Sequence, residues 1–199
     1  MSYQELQQSA TKSIQSKSVT HNDWPIRGVG FLDISPLFLS NKDFDNVLSY
    51  WQHRFQGVDL VVGLEARGFI LGSAFGQKCS LPFMMMRKKG KLPGTLLSEA
   101  YCKEYGRDEM EIQENILSYL PNGTIPKDRP LHVLIVDDVL ATGGTICASI
   151  ELTRKLLLIH NVKNFKISTA IISAIKSLNG KEKIYEKYND VNIDVILDI

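Results

Sequence analysis

Hydrophobic positions along this chain switch repeatedly between a helical and a strand period, which predicts an α/β fold. Tyr3, Leu6, Ala10 and Ile14 fall on one stripe of a short helix over 3–16. A Pro/Gly-rich segment follows over 24–36. Phe44, Val47, Leu48, Trp51 and Phe55 then recur at helical spacing, predicting an amphipathic helix over 43–56. A buried strand over 60–62 ends at Gly63, and a helix over 68–78 and a strand over 82–86 come next. Residues 88–107 carry many charges and glycines without a steady period and read as a mobile loop. Residues 110–120 fit neither period, and 122–130 form a polar, proline-bearing connector. The rest reads as strand 132–136, helix 145–159, strand 165–173, helix 180–188 and strand 193–197. Strands alternating with helices imply a mostly parallel sheet with right-handed crossovers.

The 199 residues suffice for a single core, so one domain over 1–199 is expected. The formal net charge of +1 offers no bulk attraction for nucleic acid or an anionic membrane. Any recognition of anions must be local. Cys79, Cys102 and Cys147 are odd in number and far apart, which points to reduced thiols and a cytoplasmic protein. Residues 1–18 lack the apolar core of a signal peptide, and no run approaches the length of a membrane span.

Residues 131–145 carry the most chemical information. The apolar run Val133–Val136 stops at two adjacent acids, Asp137 and Asp138, and Ala141-Thr142-Gly143-Gly144-Thr145 then opens a helix. Acids at the end of a parallel strand are expected to face the crevice at the sheet's carboxyl edge, where open α/β sheets bind ligands. The Gly-Gly turn lets backbone N–H groups converge, and the helix start adds a positive dipole end. Such an amide nest suits a phosphate, and the acids suit ribose hydroxyls. The plainer reading is an acidic turn before a Gly-rich helix cap, but buried strands rarely end in paired acids without a partner. The loop is no Walker A, since no Lys follows the glycines, and no Gly-x-Gly-x-x-Gly is present.

Two further segments occupy the same topological place. Gly63-Leu64-Glu65-Ala66-Arg67-Gly68 ends one strand and opens a helix, with Arg67 able to offer a fork of donors to phosphate. Alone it is an ordinary strand–helix loop with a surface Arg. Beside the first motif it reads as a second anion loop. Arg87-Lys88-Lys89-Gly90-Lys91 follows another strand. Basic runs are usually solvated, but four cations in five positions at a strand's carboxyl edge suit a pyrophosphate clamp.

Residues 133–145 resemble the 5-phosphoribosyl-1-pyrophosphate (PRPP) motif of the type I phosphoribosyltransferase family. Within that family the chain is most similar to the adenine-using members. The resemblance is carried by residues 24–36, by the run from Arg87 to Gln113 with Glu104-Tyr105-Gly106, and by residues 178–183. It covers most of the chain, with Trp24 standing where Phe is usual.

The resemblance implies a twisted, mostly parallel sheet flanked by helices, with a small base-binding hood from residues 1–36. It implies transfer of the phosphoribosyl group from PRPP to N9 of adenine, giving AMP and pyrophosphate. It assigns Asp137 and Asp138 to the ribose hydroxyls and Ala141, Thr142, Gly143, Gly144 and Thr145 to the 5′-phosphate. Glu65, Ala66, Arg67, Arg87, Lys88 and Lys91 go to the pyrophosphate end. A non-proline cis peptide is expected at or next to Glu65–Ala66. Gly30, Phe31 and Leu32 would bind adenine, with Phe31 stacked on the ring. Glu104 would handle a purine-ring proton, Tyr105 would cover the reacting centre, and residues 95–107 would close as a lid. Mg²⁺ is expected through substrate oxygens and water, with no protein metal cage. The resemblance also implies a homodimer in which Arg87 reaches the neighbouring subunit. A transferase for xanthine, hypoxanthine or guanine stays open as an alternative. So does a non-catalytic PRPP-sensing regulator, although no DNA-binding extension is evident.

Overall fold

The computed structural model describes residues 1–23, 30–103 and 106–199, and for 102, 103 and 107 the backbone alone. The chain divides into two compact units, residues 1–56 and 57–199.

In the first unit, α1 (Tyr3–Ser16) starts with a reciprocal cap. The Ser2 N–H donates to Glu5 Oε2 at 2.7 Å, and the Glu5 N–H donates to Ser2 Oγ at 3.3 Å. This satisfies two of the donors that a helix start leaves over. Its buried face is Leu6, Ala10, Ser13 and Ile14, packed on α3 (Asn41–Arg54). Tyr3, placed on the same stripe by periodicity, stays partly exposed and touches Tyr50 through its hydroxyl at 3.2 Å. Two strands not foreseen in the sequence, β1 (Val19–His21) and β2 (Phe31–Asp33), pair antiparallel with His21 opposite Phe31. They are three residues each, β1 exposed and β2 half-buried throughout, so neither shows an apolar alternation. The helix α2 (Ser35–Phe38) is a single turn.

The second unit is a seven-stranded sheet with β3 (Leu60–Leu64), β4 (Phe83–Lys88), β5 (Leu96–Lys103), β6 (Gly106–Gln113), β7 (Leu131–Leu140), β8 (Phe165–Ala174) and β9 (Asn192–Asp198). The order is β5-β6-β4-β3-β7-β8-β9. The strands from β4 to β9 along that order run parallel, and β6 and β5 add an antiparallel edge. The helices α4 (Arg67–Cys79), α5 (Gly144–Ile159) and α6 (Gly180–Lys187) make the crossovers. The chain leaves β3 through α4 to β4 on one side, while β7 lies on the other side of β3. The order therefore reverses between β3 and β7, and their carboxyl ends form the switch point where such sheets bind ligands. β7 is buried from Leu131 to Asp138, which explains its unbroken apolar run.

The segment expected as an irregular loop over 88–107 is instead mostly strand. β5 and β6 form a ribbon in register from Leu96↔Gln113 to Lys103↔Gly106. Leu97, Glu99 and Tyr101 are its more buried β5 positions, opposite Ile112, Met110 and Asp108. The two acids among these inward positions mask the alternation. Lys155 of α5 pairs Glu99, and within the ribbon the Tyr101 hydroxyl donates to its opposite number Asp108 at 3.2 Å.

Candidate active site

β7 does not end at the acids as its sequence pattern suggested. Pairing with β8 continues to Leu140↔Ala174, so Asp137 and Asp138 sit inside the strand, each only 7% exposed. The Asp138 N–H donates to Asp137 Oδ1 at 2.9 Å. Burial, and then the charge of Asp138, push the Asp137 carboxyl well above the usual range, against the lowering effect of that N–H. Asp138 Oδ2 meets Arg67 Nη2 at 2.7 Å.

Beyond Leu140 the chain turns through Ala141–Gly143 into α5. Gly143 takes the left-handed conformation, φ +85°, as the N-cap. A Cβ there would lie 3.0 Å from the Gly180 carbonyl oxygen and 3.2 Å from Ile184 Cγ1, so both conformation and space require glycine. The first N–H groups of α5 have no partner within the helix and open onto the same space as the acids.

The loop after β3 contains a cis peptide between Glu65 and Ala66, at the expected place. α4 begins at Arg67 and presses hard onto β7. A Cβ on Gly68 would sit 2.5 Å from the Val136 carbonyl oxygen, so only glycine lets the helix start lie this close to the acids.

The basic cluster is not an uncompensated patch. The Glu65 carboxylate accepts from Lys91 Nζ at 2.7 Å, Arg87 Nη2 at 3.2 Å and the Lys88 N–H at 3.1 Å. Burial raises the Glu65 pKa, but these donors outweigh it and hold the group at about 2. Lys89 pairs Glu109 at 2.6 Å, and the Gly90 N–H donates to Glu111 at 2.8 Å. The acids that relieve the crowded cations come from the protein itself, from β3's loop and from β6.

These loops enclose a cavity of about 320 Å³. It brings together Glu65, Ala66, Arg67, Lys88, Asp137, Asp138 and Ala141 to Thr145, all named from the sequence. Arg87 and Lys91 do not line it; both reach Glu65 on its edge, and Arg87 Nη1 also donates to the Lys91 carbonyl at 3.2 Å. Tyr101 lines it from β5 and was missed, because its segment read as a loop. Gly30, Phe31 and Leu32 belong to the first unit, with Phe31 and Leu32 half-buried and Gly30 exposed. Glu104 and Tyr105 lie outside the described residues. Among the described residues, no helix is long and apolar enough to cross a membrane.

One face of this cavity offers two carboxylates, another offers helix-start amides, and a third offers cations. That combination suits a phosphorylated sugar bearing a second anionic group. Comparison with known proteins agrees. The phosphoribosyl transferase domain family matches residues 46–196. A probable adenine phosphoribosyltransferase of Dictyostelium discoideum is 59% identical over 197 residues, 99% of this chain and 98% of that protein. The crystal structure of adenine phosphoribosyltransferase from Rhodothermus marinus superimposes with a TM-score of 0.77 at 30% identity, covering 96% of this chain and 99% of that one. That of Saccharomyces cerevisiae, complexed with an imino-altritol bisphosphate and adenine, gives 0.76 at 28% identity, covering 96% and 99%. With the sheet order, the two anion loops and these full-length likenesses in agreement, the chain belongs to the adenine phosphoribosyltransferase family of type I phosphoribosyltransferases.

Proposed function

We propose that the protein transfers the 5-phosphoribosyl group of PRPP to N9 of adenine, releasing pyrophosphate and forming AMP. The observation that carries this reading is the single cavity joining Asp137 and Asp138 to the glycine-capped start of α5. The acids take the ribose hydroxyls, and the amides and Thr hydroxyls of Ala141 to Thr145 take the 5′-phosphate. The pyrophosphate end meets the Glu65–Ala66 loop, Arg67, Lys88 and Lys91. Positive charge grows on the anomeric carbon as pyrophosphate leaves, so stabilising the leaving group is the main catalytic task.

Mg²⁺ would be held by substrate oxygens and water, with Asp137 and Asp138 meeting the ribose hydroxyls directly or through metal-bound water. When bound, Mg²⁺ neutralises charge on the leaving diphosphate. Phe31, flanked by Gly30 and Leu32, stacks on adenine. Residues 1–36 act as the base hood of a single functional domain spanning 1–199. Glu104 handles a proton of the purine ring. Tyr105 covers the reacting centre, and residues 95–107 close over it to exclude water.

The protein acts as a homodimer in the cytoplasm. Ile70 on α4 and Met85 on β4 are each nearly half exposed, two apolar side chains available for burial by a partner. Met85 shares its face of β4 with Arg87, two residues on. Burying this face against a second copy brings Arg87 to the boundary between subunits, where it can serve the partner's pyrophosphate end.

The test is an assay of four purine bases with PRPP and Mg²⁺. Adenine should give AMP with kcat/KM well above that of hypoxanthine, guanine or xanthine. Comparable kcat/KM for guanine would sink the adenine assignment while leaving the fold intact.

A further inference from the structure

Glu65 poses a chemical puzzle. It is an acid in a loop assigned to an anion, and its side chain is only 10% exposed. Its carboxylate accepts from three donors, the Lys91 ammonium, the Arg87 guanidinium and the Lys88 N–H. Two cations and a backbone amide converging on one oxyanion describe an anion-binding site that is already filled from within. The free cavity ends at this point, since Glu65 lines it while Arg87 and Lys91 do not.

We propose that Glu65 is an internal counter-ion of the pyrophosphate subsite, which diphosphate must displace from Lys91 and Arg87 in order to bind. The inference rests on the phosphoribosyl-transfer reading given above. Without ligand, the carboxylate holds both cations in place and prevents mutual repulsion. When diphosphate arrives, its oxygens take over the donors, and Glu65 loses its ion pairs. Arg87 leaves Glu65 whichever subunit's diphosphate it serves. When transfer is complete, Glu65 competes for the same cations and so favours release of pyrophosphate. Glu65 thereby tunes affinity for the leaving group without touching the reacting atoms, and it is a positioning residue.

The experiment is calorimetric titration of sodium pyrophosphate with MgCl₂ into wild type, Glu65→Gln and Glu65→Asp. Glu65→Gln keeps an acceptor for the Lys88 N–H but removes the competing charge. Pyrophosphate should bind it about fivefold more tightly, the scale of one partly screened ion pair. Glu65→Asp withdraws the charge by one methylene and should fall between Gln and wild type. In AMP synthesis, Glu65→Gln should lower the KM for PRPP and lower kcat with it, because product leaves more slowly. A purely structural role predicts the opposite, a raised KM from cations that have lost their anchor. Unchanged or weaker pyrophosphate binding in whichever variant folds would overturn the proposal, as would wild type that does not bind pyrophosphate. Failure of wild type to make AMP would count against the transfer reading instead, and the calorimetric comparison would still be readable.

Discussion

The guanidinium of Arg67 and the carboxylate of Asp138 meet at 2.7 Å, tying the first residue of α4 to the carboxyl half of β7. The pair joins the two strand ends that form the switch point of the sheet. It also holds Arg67 at the cavity by a group from the neighbouring strand. Both side chains are mostly shielded, at 25% and 9% exposed, so solvent screens them less than a surface pair.

Arg67→Gln should lower kcat/KM about 100-fold, the usual cost of losing one donor to a developing charge. Stability should fall as well, because Asp138 loses its cation. A double-mutant cycle with Asp138→Asn should return a coupling of about 1 kcal/mol in urea unfolding. A coupling near zero would show that the two residues act independently.

Asp137 carries a conflict between stability and function. Its folded pKa is raised by burial and by the Asp138 charge, so the native state prefers the neutral form. Wild-type stability is therefore fully present below the unfolded value near 3.8 and is lost as pH rises through the folded pKa. Asp137→Asn removes that loss and keeps an acceptor for the Asp138 N–H. Its Tm should exceed wild type at pH 8, with the gap closing toward pH 4. Activity should drop at least about tenfold, since the ribose loses one carboxyl oxygen as an acceptor. An Asn variant less stable than wild type at pH 8 would refute the electrostatic account.

The exposed Met85, on the same side of β4 as Arg87, leads us to expect self-association. Wild type should sediment as a dimer, and Met85→Glu should shift it toward monomer and reduce activity together. Mixing inactive Arg87→Ala chains with inactive Asp137→Asn/Asp138→Asn chains should restore part of the activity when subunits exchange. A wild type that sediments as a monomer at working concentration excludes the arrangement.

The β5–β6 ribbon should respond to ligand more than the rest of the surface. Hydrogen exchange over residues 95–107 should slow when AMP binds, while the connector 122–130 should change little. Equal exchange in both segments, with and without AMP, would remove support for a closing lid. Glu104→Gln should lower kcat well beyond any change in PRPP affinity, because the loss falls on the transition state.

Periodicity alone was enough to reveal most of the elements, because burial on one or two faces imposes its period on the sequence directly. The helices α1, α3, α4, α5 and α6 and the parallel strands β3, β4, β7, β8 and β9 lie within a few residues of their predicted places. The cavity-lining loops were equally legible, since adjacent acids, glycine pairs and a strand-end Arg are local features with a direct chemical meaning. What escaped was everything settled by distant partners. Glu99 sits on the more buried side of β5 beside Leu97 and Tyr101, where Lys155 of α5 pairs it from 56 residues away. The acids of β7 are buried inside the strand because β8 continues alongside them to Leu140. The cations at 87, 89 and 91 look unopposed in sequence. Glu65 and Glu109 reach them only once β3, β4 and β6 lie side by side. Local sequence determined which elements form and which loops line the cavity with acids, glycines and cations, because those depend on near neighbours. The tertiary structure decided which charges meet, because charge pairing across strands depends on register and strand order, which no single segment encodes.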